Sequence, residues 1–270
     1  MARIHFPGAH RIALAVTLML SGMSVTARTQ EQWRYTALGD SIASGYATTA
    51  GYVPAYQNHI QTDTGVSVVL YNLGQNGATS ASLLNALRTD SVFQTAVLQS
   101  EVITWNIGIN DFMNARNTYK NRKCGGSDNQ DCLRNAVAKF QNNWDGIISE
   151  ILIRRGLTYT NIRTMDIYYP WIKADKARNT TQDKSETTVK GNDFQVLKHY
   201  LDQMNGYIAN TTANNLVPCA QVYHAFNGVN GDEDPAAKGY LARDGLHPSD
   251  AGHKLIADLL KDLGYAPLRY

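Results

Sequence analysis

The sequence predicts an α/β fold in which a parallel β-sheet is covered by helices on both faces. Five short segments rich in β-branched and aromatic residues each run into Gly, Asn, Asp or Pro, as strands do. Segments with helical apolar spacing lie between them, and this alternation is typical of parallel sheets with two helical layers. The 270 residues contain no Pro-rich linker and no internal repeat, which favours one large domain.

The elements follow from apolar spacing and from helix-breaking residues. The predicted strands are Tyr35–Leu38, Val66–Leu73, Val102–Ile107, Ile162–Ile167 and Ala220–Ala225. The predicted helices are Tyr52–Thr62, Ala81–Leu98 with a candidate break at Asp90, Leu133–Arg155, Thr188–Ala209 and Asp250–Leu263. The last helix has the clearest pattern, because its leucines and Ile256 form one apolar stripe, Ser249 occupies the N-cap position and Gly264 ends it.

The first 27 residues have the layout of a secretory signal peptide. Arg3 and Arg11 supply positive charge, Ile12–Leu20 form an apolar run, and small residues follow up to Ala27. The run is shorter than the about 20 residues that span a bilayer, although an uncleaved N-terminal anchor is the alternative. We therefore expect a secreted protein, extracellular or periplasmic, cleaved near Ala27, with residues 28–270 forming the single folded domain.

Charge and composition restrict the partners. Cleavage removes Arg3 and Arg11 but no acidic residue, so the formal net charge falls from +2 to zero. A neutral chain without a basic cluster is not expected to bind nucleic acid or an anionic membrane. No integral membrane segment is expected in the mature chain, and no cofactor or metal, because Asp232-Glu233-Asp234 lacks the ligand spacing of a calcium loop.

The three cysteines are Cys124, Cys132 and Cys219. Cys124 and Cys132 flank a short Gly- and Asp-containing loop, and in an oxidising compartment this spacing favours a disulfide. A zinc site is the alternative, but no His accompanies the pair. Cys219 is expected to remain unpaired and buried at the start of a strand.

Short polar motifs follow three of the predicted strands. Gly39-Asp40-Ser41 follows the first and exposes a hydroxyl, while Asn76-Gly77-Ala78-Thr79-Ser80 follows the second, where a glycine lets a backbone N–H approach a bound oxygen. Gly108-Ile109-Asn110-Asp111 follows the third and offers a side-chain amide. Taken alone, each motif is also an ordinary turn, with Ser80 as a helix cap.

A fourth motif, Asp244-Gly245-Leu246-His247-Pro248, precedes the last helix. Pro248 keeps His247 out of the α-helical conformation, so the imidazole lies on a loop. Asp244 is close enough in sequence to bind one ring nitrogen and leave the other free to accept a proton. A helix-entry turn with a solvated histidine is the alternative, and His253 is the alternative base.

Together the four motifs supply what acyl transfer requires: a nucleophile, a base, an acid that orients the base, and donors for an oxyanion. The set GDS, NGATS, GIND and DGLHP resembles the motifs of the SGNH hydrolases, also called GDSL esterases and lipases, across Tyr35–Tyr265. The departures are Ile42 in place of the leucine that names the family and Ala78 where many members have Asp.

The resemblance implies roles for individual residues. Ser41 is the expected nucleophile, His247 its base and Asp244 the partner of His247. The oxyanion hole is expected from the backbone N–H groups of Ser41 and Gly77 and the Asn110 amide, with Gly74 as the rival of Gly77. The implied fold is a three-layer α/β/α sandwich with a five-stranded sheet in flavodoxin-like order 2-1-3-4-5.

Three functions compete at this stage. The first is a serine esterase that acts on a small-molecule, lipid or acylated-carbohydrate ester through an acyl-enzyme on Ser41. The second is a thioesterase or acyltransferase with the same site, and the third is a secreted binding module in which Ser41 is inert. Specificity is expected to lie in the loops Tyr46–Pro54, Asn114–Asp131, Tyr168–Thr187 and Asn227–Leu241.

Overall fold

The computed structural model describes Ala2 and residues 31–177 and 193–269. The predicted cleavage point near Ala27 and the start of the helix predicted from Thr188 lie outside these ranges. Five parallel strands form one sheet in the order β2-β1-β3-β4-β5. The predicted fold class and strand order are confirmed.

The elements alternate along the chain as expected. The strands are β1 (Gln32–Gly39), β2 (Ser67–Gly74), β3 (Val102–Asn106), β4 (Asn161–Met165) and β5 (Cys219–Ala220). The helices are α1 (Ser41–Ser44), α2 (Tyr52–Thr64), α3 (Ser80–Thr89), α4 (Ser91–Gln99), α5 (Ile109–Lys120), α6 (Asp131–Arg154), α7 (Ile172–Ala177), α8 (Asp193–Asn214), α9 (Val222–Asn227) and α10 (Asp250–Asp262).

The longer helices form two groups. Helices α2 and α10 pack against each other, whereas α3, α4, α5 and α8 pack around α6. Strand β2 is added on one side of β1, and β3, β4 and β5 are added on the other side. Because the crossovers between parallel strands are right-handed, this change places the two groups of helices on opposite faces of the sheet. The result is the predicted three-layer sandwich.

The core is built around large aromatic residues between the sheet and α6. Trp105 of β3 lies 5.7 Å from Trp144, whose ring is 5.5 Å from that of Phe140. All three side chains are fully buried. Every residue of β3 and β4 is also buried, as expected for central strands with helices on both faces.

The predicted strand Ala220–Ala225 is wrong beyond its first residue. Strand β5 is only Cys219–Ala220, and Val222–Asn227 is the helix α9, so His224 lies on a helix rather than at a strand end. The Tyr223 N–H donates to the Asp166 carboxylate at 2.7 Å. This carboxylate from beyond β4 provides a helix cap that the local sequence does not reveal.

Other helices were missed, whereas the one predicted division is confirmed. The predicted loops Asn114–Asp131 and Tyr168–Thr187 contain the end of α5 and all of α7. The break at Asp90 is confirmed, since its side chain accepts the Val92 N–H at the start of α4. Ser80 is not the cap of α3; Thr79 fills that position and forms a capping box with Ser82.

The cysteines are arranged as predicted, except for the burial of Cys219. Cys124 and Cys132 form a disulfide. Cys219 is a free thiol at the start of β5, but it is half-buried rather than buried. Among the described helices, none is both long enough and apolar enough to cross a membrane.

Candidate active site

Three strands end at the same level of the sheet. In the parallel pairing, Gly39 of β1 lies opposite both Gly74 of β2 and Asn106 of β3. The polar motifs that follow these strands therefore meet at one edge. This edge is the point where the strand order reverses, which is where open α/β sheets place their ligand sites.

The β1–α1 junction turns sharply at Gly39. Its φ is +143°, and a Cβ atom there would lie 2.3 Å from the Asn106 carbonyl oxygen, so only glycine fits. The next residue, Asp40, caps α1 by accepting the Ile42 N–H at 2.9 Å. Asn106 Nδ2 donates to the same carboxylate oxygen at 2.7 Å. These contacts fix Ser41 as the first residue of α1.

The motif before α10 brings an imidazole to Ser41. His247 Nε2 lies 2.8 Å from Ser41 Oγ, and His247 Nδ1 lies 2.6 Å from Asp244 Oδ2. The other carboxylate oxygen of Asp244 accepts the Leu246 N–H at 2.9 Å and the His247 N–H at 3.0 Å. One acidic side chain therefore sets both the conformation of the loop and the orientation of the ring.

Electrostatics keep Asp244 ionised. Partial burial acts to raise its pKa, but hydrogen bonds from the Leu246 N–H and from the His247 side chain and N–H outweigh it and lower the pKa. An ionised carboxylate at Nδ1 holds that nitrogen in its protonated form. Nε2 is then free to accept a proton from Ser41 Oγ.

Asn110 lies at the first turn of α5, facing the motif after β2. Its amide donates to the Ala78 carbonyl at 2.9 Å, which fixes the amide plane, and its second N–H has no acceptor among the residues that the structure describes. Its neighbour Asp111 accepts hydrogen bonds from the Ser80 N–H at 2.9 Å and the Ser80 hydroxyl at 2.6 Å. Two adjacent residues of α5 therefore hold the segment that begins α3.

The geometry separates Gly77 from its rival Gly74. The Gly74 N–H donates to Asn72 Oδ1 at 3.0 Å. The Gly77 N–H has no acceptor among the described residues, and its φ of +76° is in the left-handed region that favours glycine. Gly77 rather than Gly74 therefore has a donor to offer a ligand.

His253, the alternative base, is engaged elsewhere. Its side chain is fully buried, its ring stacks with that of Tyr52, and its Nδ1 accepts the Tyr52 N–H at 3.2 Å. Burial lowers its pKa to about 4. It is a neutral core residue near the site, whereas His247 is the histidine that contacts Ser41.

Sequence reasoning missed two residues that support the histidine loop. The Tyr46 ring lies 4.7 Å from the His247 ring, and the Tyr168 hydroxyl donates to the Leu246 carbonyl at 2.6 Å. Both residues fall in segments predicted to carry specificity, but their contacts join positions far apart in sequence. No local pattern indicates such contacts.

Comparison with known protein families identifies the family of this chain. Residues 35–260 match the model described as GDSL-like lipase/acylhydrolase. The chain belongs to this family. Membership makes the protein an ester-hydrolysing enzyme, and the GDSL motif corresponds to the segment from Gly39 to Ile42 at the β1–α1 junction.

Individual relatives of this GDSL hydrolase are distant. It is 22% identical to the spore germination lipase LipC of Bacillus licheniformis over 240 residues, which cover 87% of this chain and 98% of that lipase. The lipase Lip_vut3 from a goat rumen metagenome has a similar structure, with a TM-score of 0.69, 21% identity and coverage of 88% of this chain and 100% of that one.

The fold is also shared with the acetylxylan esterase Axe2 of Geobacillus stearothermophilus. The TM-score is 0.58 at 19% identity, with coverage of 89% of this chain and 98% of that one. At such identities the likeness shows the fold only. The substrate has to be argued from this protein's own residues.

Proposed function

We propose that this GDSL hydrolase is a secreted serine esterase that cleaves carboxylic esters through an acyl-enzyme on Ser41. The observation that carries the proposal is the continuous chain of hydrogen bonds from Ser41 Oγ to His247 Nε2 and from His247 Nδ1 to Asp244. Secretion is supported by the signal-like first 27 residues and by the Cys124–Cys132 disulfide, a bond typical of oxidising compartments.

In the proposed mechanism, His247 accepts the Ser41 proton as Oγ attacks the ester carbonyl. Asp244 holds the ring and stabilises the imidazolium. The imidazolium then protonates the leaving alcohol, and water repeats the sequence to release the acid. Each step uses the same Nε2 atom, so the 2.8 Å contact with Ser41 serves both acylation and deacylation.

The negative oxygen of the tetrahedral intermediate requires donors on the other side of Ser41. The second side-chain N–H of Asn110 and the backbone N–H of Gly77, neither of which has an acceptor in the described part of the chain, are proposed donors. The Ser41 N–H is the third, because it lies at the start of α1, where backbone donors have no intrahelical acceptor. The bonds from Asn110 and Asp111 to residues 78–80 hold these groups in place before substrate binds.

The test is hydrolysis of 4-nitrophenyl acetate by Ser41→Ala, with Ser91→Ala at the exposed start of α4 as the matched control. Loss of the nucleophile should lower kcat by at least about 10⁴-fold, while the control retains wild-type kcat. Wild-type kcat in a folded Ser41→Ala enzyme would refute the proposal. Adding an alcohol acceptor and analysing products separates hydrolysis from acyl transfer.

A further inference from the structure

A groove of about 800 Å³ lies beside His247. One wall is the segment 46–49 that follows α1, and the other is the segment 242–244 that precedes His247. Ser249 and Asp250 at the start of α10 complete its lining. A space of this size falls within the usual range for small-ligand sites.

We propose that this groove binds the alcohol part of the ester, and that this alcohol is a polyhydroxylated ring such as a sugar residue. The inference rests on the proposed function. A base that protonates the leaving oxygen must lie within hydrogen-bonding distance of it, so the alcohol leaves on the His247 side of the site. The groove starts there, because Tyr46 packs on the His247 ring and Asp244 lines the opposite wall.

The acyl side is separate from this groove. The proposed oxyanion donors Gly77 and Asn110 belong to the segments after β2 and β3, and neither residue lines the groove. An ester whose carbonyl oxygen faces those donors has its two substituents on different sides of Ser41. The groove beside the imidazole therefore receives the alcohol.

The lining is suited to neutral hydroxyl groups. Arg243 is exposed, and its guanidinium has no hydrogen-bonding or ion-pair partner within the described ranges. Thr48, Thr49 and Asp250 add hydroxyl and carboxylate groups. Sugar hydroxyls both donate and accept hydrogen bonds, whereas an alkyl chain would offer the Arg243 guanidinium no acceptor. The lining also carries charges of both signs, on Arg243 and on Asp250, which disfavours an alcohol part with an ionic head group.

The groove is also lined by one aromatic residue, Tyr46. The Tyr46 side chain packs against His247 on one side, yet 51% of its surface is exposed. An exposed ring beside polar groups offers an apolar face to the C–H face of a sugar ring. The polar groups of the groove therefore match the hydroxyl groups of a pyranose, and the Tyr46 ring matches its apolar C–H face.

The wall that carries Tyr46 is held in place before any ligand binds. Both Thr48 and Thr49 hydroxyls donate to the Asp250 carboxylate, the latter at 2.8 Å, and the Thr49 N–H donates at 3.0 Å. Between Tyr46 and Thr48, Ala47 has a left-handed φ of 63°, a conformation that persists only where its surroundings fix it. A preorganised wall lowers the entropic cost of binding.

The experiment compares two acetate esters of six-membered rings that differ in hydroxyl groups: cyclohexyl acetate and a monoacetylated methyl β-xyloside. The readout is the ratio of kcat/KM for the xyloside to kcat/KM for cyclohexyl acetate. Wild type should prefer the xyloside. Arg243→Gln, which removes a charged donor, should lower the ratio about tenfold. Ala242→Leu, which narrows the groove, should lower kcat/KM for both ring esters.

The matched control is Arg269→Gln, because Arg269 is exposed and follows residues 264–266, which contact the opposite end of β4. It should keep the wild-type ratio. An unchanged ratio in Arg243→Gln, wild-type kcat/KM for both ring esters in Ala242→Leu, or a wild-type preference for cyclohexyl acetate would overturn the groove assignment while leaving ester hydrolysis intact. Failure to hydrolyse 4-nitrophenyl acetate as well would instead overturn the proposed function.

Discussion

At the residue scale, the site depends on side chains that each make more than one contact. Asp244 binds the imidazole and two backbone N–H groups of its own loop. Asn110 binds the Ala78 carbonyl, and its second N–H has no acceptor within the described ranges. Because the geometry of each group is fixed by the protein itself, little rearrangement is needed when a substrate arrives.

Asn110→Ala tests the proposed oxyanion donor. The substitution removes the side-chain amide, so kcat for 4-nitrophenyl acetate should fall by about 10²–10³-fold, the usual cost of one such donor. The control is Asn114→Ala, an exposed asparagine one turn further along α5. Comparable kcat in Asn110→Ala and wild type would exclude the amide from transition-state stabilisation.

At the element scale, the β1–α1 junction determines where Ser41 lies. Gly39 ends β1 directly against the backbone of Asn106, and Asp40 then caps α1. Asn106 also accepts a hydrogen bond from the Tyr52 hydroxyl at 3.0 Å, which connects the junction to α2. Strand, cap and neighbouring helix together place Ser41.

Gly39→Ala tests the close approach at this junction. The added Cβ would clash with the Asn106 carbonyl, so the substitution should lower the free energy of unfolding by about 1–3 kcal/mol, as overpacking does. Gly156→Ala is the matched control, since no atom of the described residues lies within 4 Å of its Cβ position. Urea denaturation measures both. Equal stability of the two variants would contradict the tight packing described for Gly39.

The sequence predicted most elements because their signals are local. The apolar stripe and Ser249 cap of α10 lie within the helix itself, and the Ser249 side chain accepts the Gly252 N–H as expected. Helix α9 was missed because its start is capped by Asp166 from another part of the chain. Elements whose ends depend on long-range partners are not readable from neighbouring residues.

At the scale of the whole molecule, the sheet order brings the site together. The four motifs lie at the ends of β1, β2 and β3 and before α10, more than 200 residues apart at the extremes. Their proximity was predictable because carboxyl ends of parallel strands meet at one edge. The groove beside His247 was not predictable from the sequence, because one of its walls depends on the bonds of Thr48 and Thr49 to Asp250, about 200 residues away.

Buried carboxyl groups next to Ser41 give the molecule a pH-dependent stability. Burial raises the pKa of Asp40 from 3.8 to about 7, and one oxygen of its carboxyl group has no partner in the described ranges. Asp166 lines the same small cavity, and burial raises its pKa to about 7 as well. The folded state holds these protons more tightly than the unfolded chain, so both groups lower stability as pH rises from about 4 to about 7.

Asp40→Asn isolates one of these contributions. The difference in the free energy of unfolding, Asp40→Asn minus wild type, should be more positive at about pH 8 than at about pH 5, because the wild-type carboxyl group lowers stability only when it ionises. Asp63→Asn is the control: a hydrogen bond from Tyr265 lowers the pKa of Asp63, so it is ionised at both pH values and its replacement should have the same effect at both. An Asp40→Asn effect that is equal at both values would refute the raised pKa.

The most direct test of the account is covalent labelling by a serine-directed organophosphonate, followed by peptide mapping. The 2.8 Å contact between Ser41 Oγ and His247 Nε2 predicts one adduct per chain, located on Ser41. Labelling should be absent in Ser41→Ala and much slower in His247→Ala. Wild-type protein that remains unlabelled, or that carries its adduct on a different serine, would contradict the claim that these distant segments form one nucleophilic site.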